Sequence, residues 1–298
     1  MNYFIHLLIY FCIYAIAALS LNLVIGYCGL LTLAHAAYFA IGAYSYAILS
    51  LHGWAFLPAL AAAVAIAAVL SLIVSLPAWR FRGDNFVLMS LAAQTFIFSL
   101  LQNWYHPQSK PGTLLNLTNG PFGLAGIPRP AIIGIQMDTV SSIAVLSVVL
   151  ATMCALVVWR LQSSPWGRLL QCMRDDELAL RGLGKNIRRA KLEAFAISCG
   201  LVAVAGVLYA SYVSYIDASS ATLDESILMV CMLLIGGVAN FRGPLVGAAV
   251  LVALPEVLRM VHFPDAMAAN IRLLVYGLLL VLIVHFRPQG LAGKYRVQ

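Results

Sequence analysis

Residues 164–198 read SPWGRLLQCMRDDELALRGLGKNIRRAKLEAFAIS, a charged island in a chain that is 62% hydrophobic and 10% charged. Eight of the eighteen Lys and Arg lie in it or at its edge: Arg160, Arg168, Arg174, Arg181, Lys185, Arg188, Arg189 and Lys191. An apolar run of helix length borders it on each side. Soluble domains carry about 45–50% apolar and about 25% charged residues. A soluble chain of this length would need far more charge to cover its surface. The island is therefore a large loop on one face of a membrane, and most of the protein's surface meets lipid.

A span needs about 20 mostly apolar residues to cross a hydrocarbon core of roughly 30 Å. That ruler predicts an all-α fold, a polytopic transmembrane helical bundle of about nine spans (range eight to ten), in one domain over 1–298. The spans fall near 4–26, 30–50, 57–78, 86–104, 138–159, 193–213, 226–241, 244–262 and 271–286. Gly26, Gly29 and Gly42 interrupt the first pair; Gly236, Gly237, Gly243, Pro244 and Gly247 interrupt a later pair. Irregular backbone at membrane depth must be shielded by protein or face water. The stretches 26–44 (GYCGLLTLAHAAYFAIGAY) and 236–254 (GGVANFRGPLVGAAVLVAL) both set glycines around a short turn before a small-residue span, so the chain reads as two weakly similar halves with interrupted helices. Transporter halves often repeat in this way, although small residues also let helices pack closely.

Charge sets the orientation. The loops near 79–84, 160–192 and 241–243 and the tail after 286 hold fourteen of the eighteen basic residues, and the opposite side keeps Lys110, Arg129, Arg259 and Arg272. By the positive-inside bias, the 160–192 loop and the C-terminus are cytoplasmic, and nine spans put the N-terminus outside. The same bias accounts for the net charge of +7, so nucleic acid is not expected as a partner. The first Lys or Arg is Arg80, which leaves no basic n-region for a signal peptide; Tyr3 to Ile25 reads as a retained span. The outer loop, 105–137, carries Pro107, Pro111, Pro121, Pro128 and Pro130 among glycines and polar residues, so turns or a short outer helix are expected. Asn116-Leu117-Thr118 matches a glycosylation sequon, a short pattern common by chance.

Within the island, Asp175, Asp176 and Glu177 are placed to start a short helix, where acids favour the dipole. Leu178, Ala179, Leu180 and Leu183 follow, and Gly184 stands where a C-cap glycine belongs. Such a helix either lies on lipid head groups or inserts as a knob into a partner; composition leaves the two even.

Polar residues inside the spans are the pathway candidates. His35 is ionisable and follows Gly29; groups of that kind are costly in a membrane and often functional, the alternative being a neutral His hydrogen-bonded between helices. Asn22, Gln94 and Thr95 line a polar path or join helices by hydrogen bonds. Glu256 and Arg259 share a helix face and can pair, and Arg272 can snorkel. Six scattered His, no His-x-x-x-His pair and no clustered carboxylates in the expected spans give no metal site and no catalytic set. The six cysteines are at least sixteen residues apart, which fits buried thiols filling space.

Several blocks resemble a known family. Glu177, Ala179 and Gly184 resemble the EAA-type coupling loop of ABC importer membrane subunits, with Leu180 in place of the second Ala and Gly182 at another usually small site. LNLVIGYCGLLTLAHAAYFAIGAY (21–44), TNGPFGLAGIP (118–128), SPWGR (164–168), LGKN (183–186), KLEAFAIS (191–198), GGVANFRGPLVGA (236–248) and FRPQGL (286–291) are similar to blocks of the branched-chain amino acid permeases, in the same order and over nearly the whole chain. The resemblance is to the M-type inner-membrane subunit. It implies a multi-pass protein of a bacterial inner membrane with four partners: two cytoplasmic ATPase subunits, a related H-type permease and an extracytoplasmic substrate-binding protein. ATP and Mg would reside on the ATPases, with no cofactor in this chain. Consistent with that, no GxxxxGK[ST] phosphate loop is present, because Ala179 stands where the first Gly before Gly184-Lys185 would be. The coupling residues would be Asp176, Glu177, Leu178, Ala179, Leu180, Leu183 and Gly184. The family's relatives also carry urea and short amides. An ion-coupled transporter, which needs ionisable groups within spans, has only His35 and Glu256 to draw on.

Overall fold

Long runs of Ala, Leu, Ile and Val without interior charge can satisfy backbone N–H and C=O groups in lipid only by coiling into helices. The computed structural model describes residues 2–78, 84–132, 135–137, 139–259, 274–278, 281–283, 285–287 and 289–292. Ten α-helices are described: α1 (Asn2–Asn22), α2 (His35–Leu51), α3 (Phe56–Ala78), α4 (Asp84–Asn103), α5 (Val140–Ser163), α6 (Pro165–Asp175), α7 (Glu177–Gly182), α8 (Ile187–Val213), α9 (Leu223–Gly236) and α10 (Arg242–Arg259). Residues 274–278 and 281–283 are also helical. Helices at the positions of α1, α3, α4, α5 and α8 are long and apolar enough to cross a membrane. The protein is an all-α polytopic bundle. Arg80, Arg82, Arg272, Lys294 and Arg296, and parts of the last two expected spans, lie outside the described residues.

The interrupted spans are where observation departs most from expectation. After α1 the chain makes a π-helical turn, Leu23–Tyr27, then runs without helix from Gly29 to Ala34. The second span thus begins at His35, five residues later than its sequence boundary. The seventh begins at Leu223, three residues earlier, and stops at Gly236 after only 14 residues. Gly237, at φ 111, turns the chain toward α10. A Cβ on Gly236 would strike the Gly243 carbonyl, and one on Gly247 would strike the Met232 carbonyl. Glycine is thus what allows α9 and α10 to close as a hairpin; Pro244 lies in the first turn of α10, where a missing N–H costs nothing.

The core is built on α1, α2 and α8. Tyr38, Tyr46, Ile9, Ile13, Ile16 and Leu208 are fully buried within it. Gly42 and Gly206 let α2 and α8 approach to backbone contact: an added Cβ would meet Ala203 at the first and the Phe39 carbonyl at the second. Close backbone packing of this kind is how membrane helices associate when apolar burial offers no drive. The outward faces of α3 and α5 expose Leu57, Val69, Ile73, Val145, Met153 and Leu156, which suits lipid or another apolar surface.

At one end, the loop between α4 and α5 folds as turns around a 3₁₀ turn at Gly120–Phe122. It is tied down by Thr118, whose hydroxyl donates to the Leu101 carbonyl at 2.6 Å. Strand β1 (Leu124–Ala125) pairs antiparallel with β4 (Tyr215–Ile216), and β2 (Ala131–Ile132) with β3 (Ile135–Gln136). Asn116 of the sequon is buried and its amide donates to the Ser109 carbonyl at 2.9 Å, so it does not present an open glycan acceptor.

Candidate functional site

The island closes the opposite end of the bundle, and its local structure follows from three caps. Ser164 accepts from Gly167 N and starts α6 with Pro165 at its first position. Asp176 accepts from Leu178 N at 2.9 Å and Ala179 N at 3.0 Å and starts α7. Asn186 accepts from Arg189 N and starts α8. Caps of this type satisfy the orphan donors of a first turn. Asp175 therefore ends α6 instead of opening α7; it pairs with Arg174 at 3.0 Å.

Helix α7 is a short knob with two unlike faces. Leu180 is 7% exposed and packs inward, whereas Leu178 is 69% and Leu183 75% exposed. Ala179, Gly182 and Gly184 are also exposed, and a Cβ on either glycine would meet nothing within 4 Å. Gly184 is required by its backbone, at φ +73, a left-handed conformation costing other residues about 1–2 kcal/mol. Glu177 fixes the knob: its carboxylate takes Arg181 at 2.8 Å within α7 and Lys191 at 3.1 Å on α8. Trp166 of α6 and Arg189 both reach Glu193 of α8, at 3.1 and 2.7 Å. The short helices thus ride on α8.

A second chain of contacts joins the island to the interrupted spans. Arg174 donates to the Gly26 carbonyl at 2.7 Å, in the π turn that ends α1. A Cβ on Gly29 would press on the Arg174 side chain. One turn earlier, Asn22 accepts from Ala239 N and donates to the Asn240 carbonyl, both at 3.0 Å. Asn240 donates on to the Ala292 carbonyl, and Leu291 N and Ala292 N donate to the Ile235 and Gly236 carbonyls at 2.9 Å. The α1 end, the α9–α10 turn, the residues near 291 and α6 therefore meet at one place.

The other candidates lie deeper. His35 opens α2, fully buried, with Nε2 3.0 Å from Ser20 Oγ of α1 and 3.4 Å from Ser198 Oγ of α8; its Nδ1 has no hydrogen-bond partner among the described residues. The first N–H groups of α2 are taken by distant side chains. Ser90 Oγ accepts from Leu33 N at 3.0 Å, Ser226 Oγ from Ala36 N at 3.1 Å, and Gln94 Oε1 from Ala37 N at 3.0 Å. The Gln94 amide also donates to the Ala221 and Thr222 carbonyls. Thr95, by contrast, is exposed, and its hydroxyl donates within its own helix, to the Leu91 and Ala92 carbonyls.

The depth of this junction follows from helix length. From His35, α2 runs 17 residues toward the β1–β4 end, about 25 Å at 1.5 Å per residue. From Ser226, α9 runs on to Gly236 at the island end, about 15 Å. Together these match the roughly 40–45 Å thickness of a bilayer with its interfaces. Two helix N-termini therefore meet inside the membrane. Beside them, Asp224 and Glu225 occupy the first turn of α9 and line a cavity of about 560 Å³ between α1, α9, α10 and residues 276–277. A span boundary at 226 leaves these two acids out; acids heading an apolar run are a helix-start signal that includes them. Among the described residues, no cluster of three metal-ligating side chains occurs.

Comparison with known proteins places this geometry. Residues 3–284 match the family model described as branched-chain amino acid transport system / permease component. The high-affinity branched-chain amino acid transport system permease protein LivM of Escherichia coli K12 is 30% identical over 96% of this chain and 69% of its own length. The corresponding Salmonella typhimurium protein is 29% identical over the same shares. An autoinducer 2 import system permease protein, LsrC of Salmonella typhi, is 29% identical over 48% of this chain and 41% of its own length. No solved structure matches. Matched over nearly its whole length, the chain belongs to the branched-chain amino acid transport system permease family.

Proposed function

We propose that this permease forms half of the translocation pathway of an ATP-driven importer for a branched-chain amino acid, with α7 as the knob that docks into a cytoplasmic ATPase. The observation carrying the docking role is the face of α7. It exposes two leucines on a helix held by Glu177 and the Asp176 cap, and such a rigid apolar projection is what a partner's groove takes up. The substrate class follows the relatives, whose names give branched-chain amino acid transport.

In this reading the island end is cytoplasmic, two ATPase subunits and a related permease complete the membrane complex, and a binding protein delivers substrate to the opposite face. ATP and Mg belong to the ATPases. Movement of α7 would pass to α8 through Lys191, and movement of α6 to α8 through Trp166 and Glu193 and to the α1 turn through Arg174, tilting the helices that flank the pathway. Each ligand shifts the equilibrium between access states only by its differential affinity for them. Energised leucine uptake into membrane vesicles containing the whole importer tests this. Glu177→Lys and Gly184→Asp are expected to abolish uptake at normal membrane levels; normal uptake in both would remove the docking role from α7.

A further inference from the structure

The cavity beside the helix junction is used by nothing described so far. Its volume of about 560 Å³ falls in the roughly 300–1,000 Å³ range of small-molecule sites. Asp224 and Glu225 lie on it at the α9 N-terminus, near the middle of the membrane by the depth argument above, and Glu256 of α10 lines it too. Among the described residues no Lys or Arg lines it. Tyr10 and Tyr14 of α1 also line it, Tyr14 hydrogen-bonded to Glu225, and Leu228, Met232 and Leu251 add apolar lining.

Carboxylates at this depth are expensive and tend to mark substrate or ion pathways. Asp224 is exposed on the surface of the chain, so in the assembled membrane it must face water or protein instead of lipid. Asp224, Leu228 and Met232 follow one another at four-residue spacing on one face of α9, so the acids head a lining that continues as apolar side chains, an arrangement that suits a ligand with a cationic head and an aliphatic body. Interrupted helices meeting within the bilayer are a recurrent setting for such sites.

We propose that this cavity is an intramembrane station for the amino acid in transit, with Asp224 and Glu225 holding its α-ammonium group and Leu228, Met232 and Leu251 its branched side chain. The inference rests on the importer reading and adds a selectivity step within the membrane. Urea and short amides, which lack the cationic group, would lodge there poorly even if delivered.

The test uses the complex of both permeases and both ATPases, purified without the binding protein, and equilibrium binding of tritiated L-leucine. The expected result is saturable binding displaced by L-isoleucine but not by 4-methylpentanoate, which is leucine without the amino group. Glu225→Gln and Asp224→Asn should each weaken binding at least tenfold; both keep side-chain shape while removing a charge. Val252→Phe, which fills the cavity from a half-buried position, should abolish binding by volume alone. Absence of saturable binding, equal displacement by 4-methylpentanoate, or binding unchanged in all three variants would overturn the station. ATPase stimulation by loaded binding protein, measured on the same complex, separates the two readings. Stimulation without leucine binding removes the station and keeps the importer, whereas loss of ATPase association removes both.

Discussion

The N-terminus of α2 and the helix α7 are both polar breaks in an apolar chain, and they are built in opposite ways. At α2, the polar groups of Ser90, Gln94 and Ser226 go to backbone groups of neighbouring elements, deep in the membrane. At α7, Asp176 and Glu177 secure the helix from within the island while Leu178 and Leu183 stay outward. The first arrangement holds irregular backbone where no water can satisfy it; the second leaves a rigid surface free for a partner. An ionisable or amide side chain in a membrane is thus to be read by where its hydrogen bonds go before it is assigned to a pathway. By that standard the α2 knot maintains the fold, and the unfilled space beside Asp224 and Glu225 is where chemistry remains available.

The largest effect expected from breaking this contrast is on the knot. Gln94→Leu strands the Ala37 N–H and leaves the Ala221 and Thr222 carbonyls without their side-chain donor. Each orphaned group costs roughly 1–3 kcal/mol, and in lipid water cannot rescue it. The variant is expected to lose the monodisperse peak in size-exclusion chromatography of the solubilised complex; an unchanged peak would show that the knot is dispensable. A smaller effect is expected at the link between the regions. Arg174→Gln removes a charge-assisted bond to Gly26, worth roughly 1.5–3 kcal/mol. It should lower the complex's melting temperature by a few degrees and leucine uptake severalfold, with the ATPases still bound. The smallest is Gly184→Asn: Asn visits the left-handed region readily, so uptake should stay within about twofold of wild type. Gly184→Val, which cannot adopt that conformation without strain, should fall well below it in the same assay.

Much of this architecture was legible in the chain. The spans are apolar runs of membrane length, and the island announced itself by charge. The DDE–Gly184 pattern places the start of α7 within two residues, since Asp175 closes α6 and Asp176 caps α7. What could not be read was set by distant partners. The start of α2 depends on Ser90 and Gln94, 57 residues away, and on Ser226, 190 residues away, and no local pattern encodes such contacts. The same holds for Asn22, whose partners Ala239 and Asn240 lie more than two hundred residues on. Asp224 and Glu225 were hidden for a different reason: a hydropathy ruler trims charged residues from the end of a span, and here the trimmed pair lies beside the cavity.

The most direct measurement of the central claim is an affinity pull-down of the tagged chain from native membranes after gentle solubilisation, read by mass spectrometry for wild type and for a Leu178→Asp, Leu183→Asp double variant. Both leucines are exposed, so the substitutions spare the fold. The account predicts that wild type recovers ATPase subunits and a second permease, and that the double variant keeps the permease but loses the ATPases. Wild type recovered without ATPases, or a double variant that retains them in equal yield, would contradict it.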